Sequence, residues 1–214
     1  MEEKIRSIYS KKFPDIKIRV IPGHFVTSHS HINYYVDMTM TKMRESEARA
    51  VAKAIASKYS PTTIVDTIVC MDGCEVIGAY LAEELTKSGI LSMNAHQTIY
   101  VTTPEFNSTG QMIFRQNLVP MIDGKNVFLL LASTTTGMTL HRCLRCIDYY
   151  GGHITGITSI FSMINSICNI HVSSLFKASD LPDYKAYPYD ECPLCKEKVP
   201  IDALANGYGY SPLQ

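Results

Sequence analysis

Asn126-Val-Phe-Leu-Leu-Leu-Ala-Ser-Thr-Thr-Thr-Gly-Met-Thr139 is the segment from which the architecture of this chain can be worked out. Val127–Leu131 is apolar without a break, so it offers no solvated face, and a strand buried on both sides in a parallel sheet is predicted. Ser133–Thr139 then supplies hydroxyls and one glycine. Leu140, Cys143, Leu144 and Ile147 recur at helical spacing until Gly151-Gly152 stops the helix. A strand, a hydroxyl-rich turn and a helix start concentrate backbone N–H groups, the positive end of a helix dipole and side-chain donors, which suits a phosphate. Simple capping of the helix by Ser and Thr is the plainer alternative.

Outward from this stretch, strands alternate with helices. Ile64–Met71 and Gln97–Thr102 are predicted strands, as is Ile154–Phe161. Glu45–Tyr59 is an amphipathic helix ended by Ser60-Pro61, and Val76 to Leu85 lie on a helix that closes at Gly89. This order predicts an α/β fold: a central parallel sheet flanked by helices, with ligands at the carboxyl ends of the strands. Asp72-Gly73-Cys74-Glu75 sits at one such end. Nearer the N-terminus, Glu2–Lys12 reads as a short helix and Ile16–Ile21 as a half-exposed strand turned by Pro22-Gly23. Gly23–Asp37 reads as two β segments around a polar turn, where His29 and His31 are spaced to share a metal or to lie solvated.

The 214 residues suit one domain with a small appended subdomain. Twenty basic residues balance twenty acidic ones, so no global field recruits nucleic acid or an anionic membrane. No apolar run spans a bilayer, and seven cysteines in so long a chain read as reduced thiols of a cytoplasmic protein. Pro104–Lys125 is long and weakly periodic, as functional lids are. The tail, Phe176–Gln214, has no period and is expected to wrap the sheet edge or meet a partner subunit. Cys192-Pro-Leu-Cys195 is half of a zinc knuckle, for which Cys143-x-x-Cys146 is the formal complement, although the helical face of Cys143 points to the core.

Two segments in the right order carry a family resemblance. Thr135-Thr136-Gly137-Met138-Thr139 resembles the phosphoribosyl-diphosphate loop of the type I phosphoribosyltransferases, written as apolar residues, two acids, two variable residues and Thr-Thr-Gly-x-Thr. Leu131 and Ala132 stand where the two acids belong. Gly23, Phe25, Ser28, Tyr34, Tyr35 and Asp37 resemble the N-terminal segment of the orotate phosphoribosyltransferases, with Thr27 and His29 departing from it. The resemblance spans about Gly23 to Phe161. It implies residues 1–60 as N-terminal helix, hood and linking helix, residues 61–175 as the α/β core, and residues 176–214 as the tail.

The same resemblance implies a site. Ser133, Thr134, Thr135, Thr136, Gly137, Met138 and Thr139 would cradle the 5′-phosphate, and Asp72, Gly73, Cys74 and Glu75 would hold the diphosphate. Ser28, His31, Tyr34 and Tyr35 would lie on the base side. Glu105, Gly110 and Arg115 fall in the lid, which lacks the lysines and the histidine usual there. The implied reaction is phosphoribosyl transfer from phosphoribosyl diphosphate, assisted by Mg²⁺, to a pyrimidine base in a homodimer. Without the loop acids, with only Asp72, Glu75 or Glu105 to compensate, the alternative is a non-catalytic protein that binds a phosphoribosyl ligand or nucleotide monophosphate. Zinc at Cys192 and Cys195 stays a separate expectation.

Overall fold

A computed structural model describes residues 5–59, 63–87, 93–94 and 98–213. Its centre is a five-stranded parallel sheet made of β4 (Thr67–Cys70), β5 (Tyr100–Thr102), β8 (Asn126–Thr134), β9 (His153–Ser162) and β12 (Ser173–Lys177), in the order β12-β9-β8-β4-β5. β8 lies in the middle because no residue from Val127 to Ala132 tolerates water, and all six are buried. Its side chains alternate between two cores. Phe128, Leu130 and Ala132 face α2 (Glu45–Ala56) and α3 (Glu75–Lys87). Val127, Leu129 and Leu131 pack with Leu140, Cys143 and Ile147 of α4 (Met138–Tyr149).

A second sheet covers one end of the first. β2 (Lys17–Val26) and β3 (His31–Asp37) form an antiparallel pair, with β1 (Arg6–Tyr9) against β2. The tail contributes β13 (Ala186–Tyr187) beside β3 and β14 (Ala203–Ala205) parallel to β2, with β15 (Tyr210–Pro212) at the edge. Residues from both ends of the chain therefore build one hood. The short α1 (Thr39–Met43) leads from β3 to α2, and the tail carries a one-turn helix, α5 (Pro193–Lys196).

Several elements differ from the sequence reading. The helix predicted over Glu2–Lys12 is strand β1 where it is described; edge pairing with Lys17–Val20 overrides local spacing. Pro22-Gly23 does not turn the chain. The strand continues to Val26 through an irregularity between Pro22 and Phe25, which accommodates a proline without an N–H, and the turn comes at residues 27–30. Within 104–125, β6 (Glu105–Phe106) pairs with β7 (Met112–Ile113), and Met112 and Phe114 are buried. After β9, β10 (Ser166–Ile167) and β11 (Ile170–His171) form a small hairpin. The expected stops at Ser60-Pro61 and Gly89, and the start of the strand at Gln97, lie outside the described residues.

Candidate phosphate-binding cavity

A cavity of about 460 Å³ opens at the carboxyl end of β8, and all seven residues from Ser133 to Thr139 line it. The strand itself carries Ser133 and Thr134 to the rim. Thr135 and Thr136 then bend away, and Gly137, at φ 81°, caps α4 in the left-handed conformation without a side-chain cap. A Cβ there would lie 3.1 Å from Ile164 Cδ1 and 3.2 Å from Ile167 Cδ1. Among the described residues, the backbone N–H groups of Thr135, Thr136 and Gly137 meet no protein acceptor. Thr134 Oγ1 is buried with no hydrogen-bond partner. Unpaired donors at the start of a twelve-residue helix are an arrangement that suits an anion, and Arg142, also on the cavity wall, adds a positive charge.

The facing wall contains groups that no motif announced. Lys42 of α1 is buried, and its Nζ donates to the carbonyl oxygens of Asp72 and Gly207, each at 2.6 Å. Those two bonds join the hood, the turn after β4 and the tail. Asp72, at φ 56°, is the one carboxylate among the described residues lining the cavity. Burial pushes its carboxyl above the ordinary aspartate value, against the nearby Lys42 charge and a hydrogen bond from the Ala132 backbone. Asn206, Gly207 and Tyr208 complete this side, and Asn206 Oδ1 accepts from the N–H groups of Tyr208 (2.8 Å) and Gly209 (3.0 Å). Lys42 and Tyr208 lie in stretches without local periodicity or a recognisable motif, so only folding brings them here.

The other expected site residues divide. Ser28 and Tyr35 line the cavity, and burial, followed by the Asp37 charge, pushes the Tyr35 hydroxyl up to about 12. Tyr34 packs against the hydrophobic core instead. His31 turns away from the cavity and forms a cluster with His24, Cys192 and Cys195, whereas His29 stays on the exposed turn at the cavity edge. Cys74 is buried, with its thiol raised well above the usual value by burial, while Gly73 and Glu75 do not line the cavity. Gly110 and Phe106 reach the cavity from the β6–β7 hairpin. Glu105 and Arg115 pair with each other at 2.8 Å on its exposed side.

Leu131 and Ala132 face the two apolar cores and do not line the cavity. Mg²⁺ therefore meets no pair of carboxylates at these positions. Asp72 is the one carboxylate among the described residues on the cavity wall, so a Mg²⁺ ion carried by phosphoribosyl diphosphate would take one side-chain ligand from it and the rest from the ligand and water. Cys143 is wholly buried beside α4's other core residues, and Cys146 Sγ lies 3.6 Å from the Met112 carbonyl. Neither joins Cys192 and Cys195, which corrects the pairing of Cys-x-x-Cys segments considered above.

No family model matches the chain. It is 25% identical over 185 residues to the orotate phosphoribosyltransferase of Chlorobium phaeobacteroides strain BS1, covering 86% of this chain and 88% of that one. It is also 25% identical over 203 residues to the orotate phosphoribosyltransferase of Thermoanaerobacter sp. strain X514, covering 94% and 95%. Among solved structures, a phosphoribosyltransferase from Corynebacterium diphtheriae superposes with a TM-score of 0.53 at 13% identity, covering 76% of this chain and 90% of that one. The orotate phosphoribosyltransferase of Mycobacterium tuberculosis, in complex with Fe(III) dicitrate, gives 0.51 at 13% identity, covering 76% and 91%. The chain thus has the α/β fold of the type I phosphoribosyltransferases, and along most of its length its sequence is similar to orotate phosphoribosyltransferases.

Proposed function

We propose that the protein binds a phosphoribosyl compound, either phosphoribosyl diphosphate or a nucleoside monophosphate, with the 5′-phosphate on Ser133–Thr139. The observation that carries this reading is the set of unpaired donors: the amides of Thr135–Gly137 and the buried hydroxyl of Thr134. The base would lie toward Ser28 and Tyr35, beneath the hood.

Efficient phosphoribosyl transfer does not follow from the same wall. As a nitrogenous base replaces diphosphate at C1′, positive charge develops on the ribose, and negative groups already in place lower that barrier. The two positions that carry acids in the family are apolar here and aimed into the cores. Each lost preorganised contact of this kind costs about 10²–10³ in rate, and coupled losses do not simply add. Binding without appreciable turnover is thus the reading favoured by the chemistry.

Transfer to a pyrimidine base such as orotate is the second reading. It is favoured by the similarity to orotate phosphoribosyltransferases along 86–94% of the chain and by the place of Asp72 on the cavity wall. Calorimetry with phosphoribosyl diphosphate and orotidine monophosphate, with and without Mg²⁺, separates the two when combined with an assay for diphosphate release. Binding with no orotate-dependent release selects the first; release selects the second; no binding of either compound overturns both. A homodimer belongs to the same proposal, and sedimentation as a single-chain species in the presence of ligand would remove it.

A further inference from the structure

His24, His31, Cys192 and Cys195 bring four donor atoms within 4.8 Å of one another. His24 lies in the irregular part of β2, and His31 starts β3 on the other side of the hood turn. The cysteines are at the start of α5 and one turn along it. His24 Nε2 lies 2.8 Å from His31 Nδ1 and 3.6 Å from each sulfur, and Cys195 Sγ lies 3.2 Å from His31 Nδ1. Zinc bonds of about 2.0–2.1 Å to nitrogen and about 2.3 Å to sulfur, at tetrahedral angles, set nitrogen–sulfur edges of about 3.6 Å and a nitrogen–nitrogen edge of about 3.3 Å. These four separations match the edges of such a tetrahedron to within about 0.5 Å, and the other two lie within 4.8 Å.

The surroundings also suit a metal. His24 Nδ1 lies 2.9 Å from the Val199 carbonyl; donating there leaves Nε2 unprotonated and facing the other three groups. The Tyr189 ring packs edge-on against His31, with centroids 5.3 Å apart. His24, His31 and Cys192 are buried, and Cys195 is exposed, which leaves a path for entry. A dry hydrogen-bonded pair of histidines would need neither thiol.

We propose that these four side chains form a Cys₂His₂ zinc site that ties the tail to the hood. Two sulfur and two imidazole donors in a tetrahedron select Zn²⁺ over the oxygen-seeking cations. As the ion binds, both thiols release their protons to water, and two thiolates neutralise its charge. The histidines bracket the turn at residues 27–30, which lines the cavity, so zinc holds that wall against the tail. The site stands independently of the phosphate reading, because it is detected without any phosphoribosyl ligand.

Metal analysis of the purified full-length protein tests it. About one zinc per chain is expected. Cys195→Ser and His31→Gln should each lower the content at least tenfold under mild chelation, while Cys168→Ser, at an exposed cysteine, leaves it unchanged. Should either ligand variant fail to fold, the wild-type protein, stripped by a chelator and titrated with Co²⁺, supplies the second reading. Tetrahedral ligand-field bands with a sulfur-to-cobalt charge-transfer band support the site. Wild-type protein that takes up neither ion, a disulfide between Cys192 and Cys195 in its place, or metal retained in both ligand variants would overturn it.

Discussion

Thr134 ends β8 with its hydroxyl buried and unpaired, beside amides that also have no protein acceptor among the described residues. A buried unsatisfied hydroxyl costs about 1–3 kcal/mol, and a hydrogen bond to a charged group contributes about 1.5–3 kcal/mol. Thr134→Val is therefore expected to raise the stability of the ligand-free protein while weakening phosphate-ester binding about tenfold or more. Chemical denaturation and calorimetry check the two halves separately. Asp72 is a different case. Burial raises its carboxyl value in the folded state above that of the unfolded chain, so the folded protein holds the proton more tightly. Its contribution to stability is fully present below the unfolded value and is lost as pH rises through the raised folded value. Asp72→Asn should consequently increase stability at neutral pH and flatten its decline as pH rises above about 4, the ordinary aspartate value. Urea midpoints across that range would show it, and a variant less stable than wild type at pH 7 would contradict the account.

At the scale of elements, the link from β8 to α4 depends on Gly137. Its left-handed backbone would cost a residue with a Cβ about 1–2 kcal/mol, and the Ile164 and Ile167 side chains would have to give way. Gly137→Ala is expected to lower the denaturation midpoint by that order and to reduce phosphate binding, because the turn that carries the three unpaired amides is displaced. An unchanged affinity would count against the cradle. The elements most legible in the sequence are those with a strong period or an unbroken apolar run: α2, α3, β8 and α4. Arg6–Tyr9 escapes a local reading because a four-residue edge strand is decided by its pairing with β2. Pro22-Gly23 carries the ordinary signature of a turn, yet the ladder resumes beyond it. There the His24 N–H donates to the Asp202 carboxylate of the tail at 2.7 Å, a bond that no neighbouring residue announces.

At the scale of the whole molecule, the tail is part of the hood and of the cavity wall. Truncation after Ala205 removes the Gly207 carbonyl and leaves the buried Lys42 ammonium with one of its two acceptors. A hydrogen bond to a charged group is of order 1.5–3 kcal/mol, so a loss of at least that size is expected in equilibrium unfolding of the truncated protein. Unaltered stability would show that the tail merely rests on the hood. The order of residues alone dictates the buried middle strand, the hydroxyl-rich turn behind it, the alternation of strands and helices, and the absence of acids at Leu131 and Ala132. Those features are local, because adjacent residues impose them through burial, backbone freedom and side-chain chemistry. It takes the folded chain to set Lys42 and Asp72 on the same cavity, and to bring Cys192 and Cys195 to His24 and His31 rather than to Cys143 and Cys146. Cys192 lies 168 residues from His24, and no local period reports which distant strands a sheet will join.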